Sequence, residues 1–194
     1  MYEEKAPPRR LREVARCVWR SASEGPKRIV PDGCVDLVAG DGEVFVAGPD
    51  TTAWTSATGP KAELSGVRFQ PGRAAAVLGV AADELRDRRV SLGELWGRPG
   101  ELVAERLLRG EWSVAEAVAA RLPAVGPPDV AVAGLIARLD AGVARVADAV
   151  AALMGVGVEG ARIGEAAAVP GRPGSQAGLI AEAAAMLTRG GPES

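Results

Sequence analysis

The sequence predicts an α+β protein: a small β-sandwich or barrel with flanking helices, followed by a small all-α module. Three observations carry this. Between residues 28 and 70, short β-branched runs alternate with breaks rich in Gly, Pro and Asp. From Ala74 onward the apolar residues recur at helical spacing. The stretch Pro123-Ala124-Val125-Gly126-Pro127-Pro128 then interrupts the helical part as a linker. The expected units are therefore residues 1–122, the linker 123–128 and a helical module over 129–194.

Taken in order, residues 9–19 place Leu11, Val14, Ala15 and Val18 at helical spacing, which predicts a short amphipathic helix running into a strand at Cys17-Val18-Trp19. Strands are expected at residues 28–30, 34–38, 44–46 and 64–69. The breaks between them are Pro31-Asp32-Gly33, Gly40-Asp41-Gly42, Gly48-Pro49-Asp50 and Thr58-Gly59-Pro60, where Gly supplies positive φ and Pro presets φ. The β character stops near Gln70-Pro71-Gly72. Helical spacing follows through Ala74, Val77, Leu78, Leu85, Leu92, Leu95 and Trp96, with further helices over 101–108 and 113–122. Ser113 with Glu116 three residues on is a capping-box pattern. Beyond the linker, helices are expected over 129–139, 144–153, 159–168 and 176–187.

Composition narrows the function. The 194 residues are 47% hydrophobic, enough for a packed core. Lys plus Arg is 23 against 25 acids, a net charge of −2, which argues against a surface that grips nucleic acid throughout. There is no histidine, so His triads, His metal ligands and His proton shuttles are excluded. Two cysteines, Cys17 and Cys34, are too few for a disulfide scaffold or a four-thiolate zinc site. No metal and no cofactor are expected. The opening residues hold no apolar run resembling a signal peptide, and no stretch is long enough to span a bilayer, so a cytoplasmic protein without membrane contact is expected.

Two stretches are more specific. One is Arg28-Ile29-Val30-Pro31-Asp32-Gly33-Cys34-Val35-Asp36-Leu37-Val38; the other is Gly66-Val67-Arg68-Phe69-Gln70-Pro71-Gly72-Arg73, continuing through Leu95-Trp96-Gly97. Over roughly residues 2–110 the chain resembles the sensory domain of a subgroup of AraC-type bacterial transcriptional regulators. The resemblance implies a cupin-like β-barrel with an interior cavity, a small-molecule ligand, and a homodimer of the kind such regulators often form. Residues 146–156 resemble, more faintly, the first part of the family's first helix-turn-helix, and residues 173–187 its linker helix. The family's second helix-turn-helix has no counterpart before Ser194, so a single reading head is expected.

That head departs from its pattern. The stretch matching the recognition helix, residues 157–168, holds one cation, Arg162, and two carboxylates, Glu159 and Glu165. Across residues 127–194, five arginines face seven acids and no lysine occurs, a net charge of −2. Phosphate neutralisation supplies most non-specific affinity for DNA. Loss of DNA binding is therefore expected, with Arg162 a weak candidate contact.

Candidate chemistry concentrates in the β part. Asp36 sits between Val35 and Leu37, so alternation puts it on the opposite face, either inside the barrel as a ligand contact or acid/base group, or in water. Arg68 carries the same ambiguity between a ligand anion and an ion pair with Asp36. Trp19, Trp54, Phe45 and Phe69 either wall a pocket or fill the core. Core filling is the expectation for Trp19 and Phe69, and a pocket lip for Trp54 in its polar stretch. Trp96 and Trp112 are expected to pack in the helical part. Cys34 is expected to be structural, opening a strand after an Asp32-Gly33 turn. The cluster Arg86-Asp87-Arg88-Arg89 reads as a solvated face. Gly155, Gly157 and Gly160 match a dinucleotide spacing, but they follow a helix and are discarded.

Three functions follow as expectations. The first is a small-molecule-binding protein that has lost DNA binding and sequesters a metabolite or shields its producer from it. The second is a ligand-responsive regulator with a reduced DNA-binding region. The third is a cofactor-free enzyme for cyclisation, rearrangement or hydrolysis, relying on Asp36, Arg68, Asp32 or Tyr2.

Overall fold

The computed structural model describes residues 1–142 apart from 23–24, 57–58, 60 and 128–129. The strands are β1 (Tyr2–Lys5), β2 (Ala15–Ala22), β3 (Arg28–Ile29), β4 (Asp36–Gly40), β5 (Glu43–Ala47), β6 (Trp54–Thr55), β7 (Glu63–Phe69) and β8 (Arg89–Ser91). The helices are α1 (Ala74–Leu78), α2 (Leu92–Trp96), α3 (Arg98–Leu108), α4 (Val114–Arg121) and α5 (Val130–Asp140). The result is a mixed α+β fold. A six-stranded antiparallel sheet runs in the order β1-β2-β7-β4-β5-β8, and β3 pairs with β6 as a separate two-stranded ribbon. Among the described residues, no pairing joins β1 to β8, so the sheet has two edges.

Alternation gives the sheet two unlike faces. On one, Leu37 stands opposite both Val67 and Val46, and Val46 stands opposite Val90. Leu37, Val46 and Val67 are fully buried there beneath Leu107 of α3 and Val114, Ala117 and Val118 of α4. Each such aliphatic side chain contributes about 1.5–3 kcal/mol by leaving water. The other face carries Trp19, Asp36, Val38, Phe45 and Arg68, and it is this face that the ribbon covers.

The helices form where their termini are satisfied. Ser113 Oγ accepts from Glu116 N (3.3 Å) while Glu116 Oε2 accepts from Ser113 N (2.7 Å), the capping box expected from sequence. A second box, Ser91 with Glu94, opens α2 directly from β8. The start of α5 sits against the strand-to-helix junction: Leu135 and Leu139 are buried, and the space at Gly72 is taken by Val132 and Ile136. Buried Arg73 donates through Nε to Glu13 O (3.1 Å) and through Nη2 to Gly126 O (3.4 Å), tying the linker to the β part.

The structure departs from expectation at several places. Residues 9–19 are not a helix; a 3-10 turn over Arg9–Leu11 leads into β2 at Ala15. Leu11, Val14 and Ala15 are still buried, Leu11 and Val14 ahead of the strand and Ala15 at its start, where the register against β7 is irregular. β1 was not expected, because its residues are all exposed and mostly charged, as suits an edge strand. β8 breaks the helical spacing assumed between Leu85 and Leu92, and the strand assigned to 34–38 begins only at Asp36.

Candidate functional site

The ribbon lies over the second face of the sheet and leaves a half-open cavity of about 290 Å³. Its floor is set by register. Cys17, Arg68, Asp36, Ala47 and Arg89 are successive cross-strand partners over β2, β7, β4, β5 and β8, so they form one row. Trp19, Gly66, Val38 and Phe45 form the next row. Ile29 and Trp54, paired across the ribbon, make the roof.

Gly66 is the pivot of this floor. A Cβ there would overlap Cε2 and Cζ2 of the Trp19 indole, so only glycine lets Trp19 lie across β7. In that position Trp19 Nε1 donates to Asp36 Oδ1 (3.2 Å). Arg68 completes the arrangement by donating from Nε to Asp36 Oδ1 and from Nη2 to Asp36 Oδ2, both 3.2 Å. The same guanidinium reaches Asp32 Oδ2 at 3.2 Å and Glu4 Oε1 at 3.6 Å. Tyr2 donates its hydroxyl to Glu4 Oε1 (2.6 Å), and Asp32 Oδ1 accepts from Cys34 N (2.9 Å).

Burial pushes the Asp36 carboxyl above its ordinary range, against the opposing pull of Arg68 and Trp19. For Arg68, burial acts to lower the value, and the charge and hydrogen bonds of Asp36 more than reverse it. The two directions conflict over whether the pair is charged. Geometry decides for the ion pair, since every contact of the Asp36 oxygens is with a donor, an arrangement a protonated carboxyl would not fill. Burial also raises the Tyr2 phenol, reinforced by its bond to Glu4. Burial, with Asp32 beside it, pushes the Cys34 thiol up to about 12, and burial pushes Cys17 to about 11. Neither is a thiolate at neutral pH.

At the other end of the row, Arg89 holds Asp50 with both terminal nitrogens, Nη1 to Oδ1 at 2.9 Å and Nη2 to Oδ2 at 2.7 Å. Its guanidinium also stacks 4.3 Å from the centre of the Trp54 ring, whose Nε1 donates to Asp50 Oδ2 (2.8 Å). Trp54 is thereby fixed as part of the roof.

Of the candidates named in the β part, Tyr2, Trp19, Asp32, Asp36, Phe45, Trp54 and Arg68 line this one cavity. Trp19 takes the first of its two readings, a cavity wall, because Gly66 opens room for it, whereas Phe69 is buried with the core as expected. Arg89 is a correction. In the cluster 86–89 it reads as solvated, yet β8 turns it inward onto Asp50. Trp96 and Trp112 pack against the core, each under an arginine. Lys27, Asp50, Ser21 and Ser56 line the cavity without having been expected to. The Arg-Val-Ser strand that ends in the capping-box serine Ser91 is a signal for Arg89 alone. Arg162, the helix-turn-helix stretch and the Gly155–Gly160 spacing lie outside the described residues. Among the described residues, no group of three or more His, Cys, Asp or Glu is placed to hold a metal ion, and no helix is long and apolar enough to cross a membrane.

The fold and site thus define a cavity-bearing α+β domain. Residues 3–91 match a family model described as a domain of unknown function (DUF6597), a match that ends with β8 and contains every cavity residue named above except Tyr2. No curated protein and no solved structure matches the chain.

Proposed function

We propose that the protein binds a small molecule in this cavity and descends from an AraC-type regulator whose DNA-binding part has lost its function. In this reading the sheet and ribbon together are a cupin-like sensory barrel left open between β1 and β8. The observation that carries it is the cavity: a cleft with three aromatic walls, Trp19, Phe45 and Trp54, and polar groups already bonded to one another. Such a site binds and orients without a committed proton donor or acceptor. Asp36 is held by three donor bonds, Tyr2 is committed to Glu4, and Cys34 stays protonated, which favours binding over catalysis. The charge of residues 127–194 supports the loss of DNA binding. Sequestration of a metabolite, or protection of its producer, is the role that fits.

The test has two arms. A thermal-shift screen of metabolites is expected to find one that raises the melting temperature in a concentration-dependent way. Fluorescence anisotropy with random-sequence duplex DNA at about 50 mM salt, where backbone electrostatics are strongest, is expected to show no binding. Saturable, salt-sensitive DNA binding would return the protein to the ligand-responsive regulators.

A further inference from the structure

Three cations line the cavity, and two of them are already matched by carboxylates. Arg68 faces Asp36, Asp32 and Glu4, and Arg89 is bidentate on Asp50. Lys27 differs. Its Nζ donates to Ser21 Oγ (3.0 Å) and to Ala22 O (3.3 Å), both neutral, and it meets no carboxylate among the described residues. An ammonium carries three donors, so one is left without a partner among the described residues. The lysine is also anchored: its backbone N donates to Ser56 Oγ (3.0 Å), and Ser56 N donates to Lys27 O (2.8 Å), extending the β3–β6 ladder by one step.

Beyond its charged groups and serines, the cavity is lined by apolar side chains. Val38, Phe45 and Trp19 come from the floor, and Ile29 and Trp54 from the roof. A planar ring between aromatic walls gains stacking as well as burial. The volume of about 290 Å³ lies at the small end for ligand pockets, which suits one ring or a fused pair. A cation facing an apolar cleft favours an occupant bearing one negative charge, because pairing offsets the desolvation of both groups. We propose that the cavity takes a small aromatic monocarboxylate, its carboxylate on Lys27 Nζ and its ring between Phe45, Trp19 and Trp54. This rests on the ligand-binding reading of the same cavity.

The test titrates the full chain with 2-naphthoate and benzoate, with their neutral amides, and with benzylamine, following quenching of tryptophan fluorescence. Wild type and Lys27→Met are compared, each with a thermal melt. The carboxylates are expected to bind at least tenfold more tightly than the amides. Lys27→Met is expected to weaken carboxylate binding about ten- to hundredfold, the usual weight of a charged hydrogen bond, and to weaken amide binding less, since only the carboxylate loses a charge pair. Lys27→Gln, which keeps a donor to Ser21, serves the same comparison if the Met variant melts early. Equal binding of acid and amide, or full carboxylate affinity in both Lys27 variants, overturns the anion assignment and leaves the cavity reading standing. Silence from every probe also overturns it, and the metabolite screen then decides the cavity reading separately.

Discussion

The arrangement of Trp19 over Gly66 makes a prediction whose sign is unusual. Replacing a mid-strand glycine by alanine ordinarily stabilises a sheet by roughly 0.5–1 kcal/mol, because glycine loses more backbone freedom on folding. Gly66→Ala should do the opposite. The added Cβ overlaps two atoms of the Trp19 indole, and neighbouring β4 and β2 leave β7 no edge along which to shift. The ring must therefore move. Overpacking of this kind costs about 1–3 kcal/mol. Displacing the indole also lengthens the Trp19 Nε1 to Asp36 Oδ1 bond of 3.2 Å, a bond to a charged acceptor. Set against the ordinary gain, the net expectation is a loss of about 2 kcal/mol, or roughly 4–8 °C in melting temperature for a chain of this size. Thermal denaturation followed by circular dichroism reads the loss, and the indole N–H resonance of Trp19 reads its cause. In a Trp19→Ala background the alanine at position 66 should regain its normal stabilising sign, a coupling between touching residues. A Gly66→Ala variant as stable as wild type, with the Trp19 resonance unmoved, would refute the argument.

Other expectations follow from the same polar row. Arg68→Met leaves Asp36, whose side chain is only 14% exposed, without its counter-ion and should destabilise by about 3 kcal/mol, seen as a lower urea midpoint; an unchanged midpoint would mean the pair contributes little. Asp36→Asn, which keeps an acceptor for Trp19, should cost less than Arg68→Met in the same assay. Cys34, held up to about 12, should react slowly with iodoacetamide near pH 8 and accelerate about tenfold per pH unit, and fast alkylation at neutral pH would contradict its burial beside Asp32. Glu94 and Glu116 have folded pKa values lowered by the backbone N–H groups of Ser91 and Ser113, so their contribution is full above the unfolded value and is lost as pH falls through the folded one. Glu116→Gln, which removes the carboxylate and keeps an acceptor for Ser113 N, should therefore melt below wild type at neutral pH, with the gap closing in acid.

How far the site could be read from sequence depended on whether a residue's partners lie on its own strand or on another. Alternation around Val35-Asp36-Leu37 and Val67-Arg68-Phe69 is local, and it placed Asp36 and Arg68 on the face opposite the core with no knowledge of the fold. That they meet depends on the register of β4 against β7, which no single strand records, and the ion pair could be named only as one of two alternatives. Lys27 and Asp50 are harder still. Each stands outside any regular strand and enters the cavity through the ribbon, two residues on each side, too short to leave a period in the sequence. The false helix over residues 9–19 arose the same way: Leu11, Val14 and Ala15 satisfy helical spacing, but pairing with β1 and β7 outweighs local propensity once the sheet is assembled. Gly66 joins the two levels. Within its own strand it reads as a weakness, and only the indole of Trp19, brought across by register, makes it a requirement. A glycine at that position in a chain that also carries the Asp-Gly-Cys turn and an Arg two residues later is therefore evidence for the cavity floor, since Trp19 and Arg68 both bond Asp36.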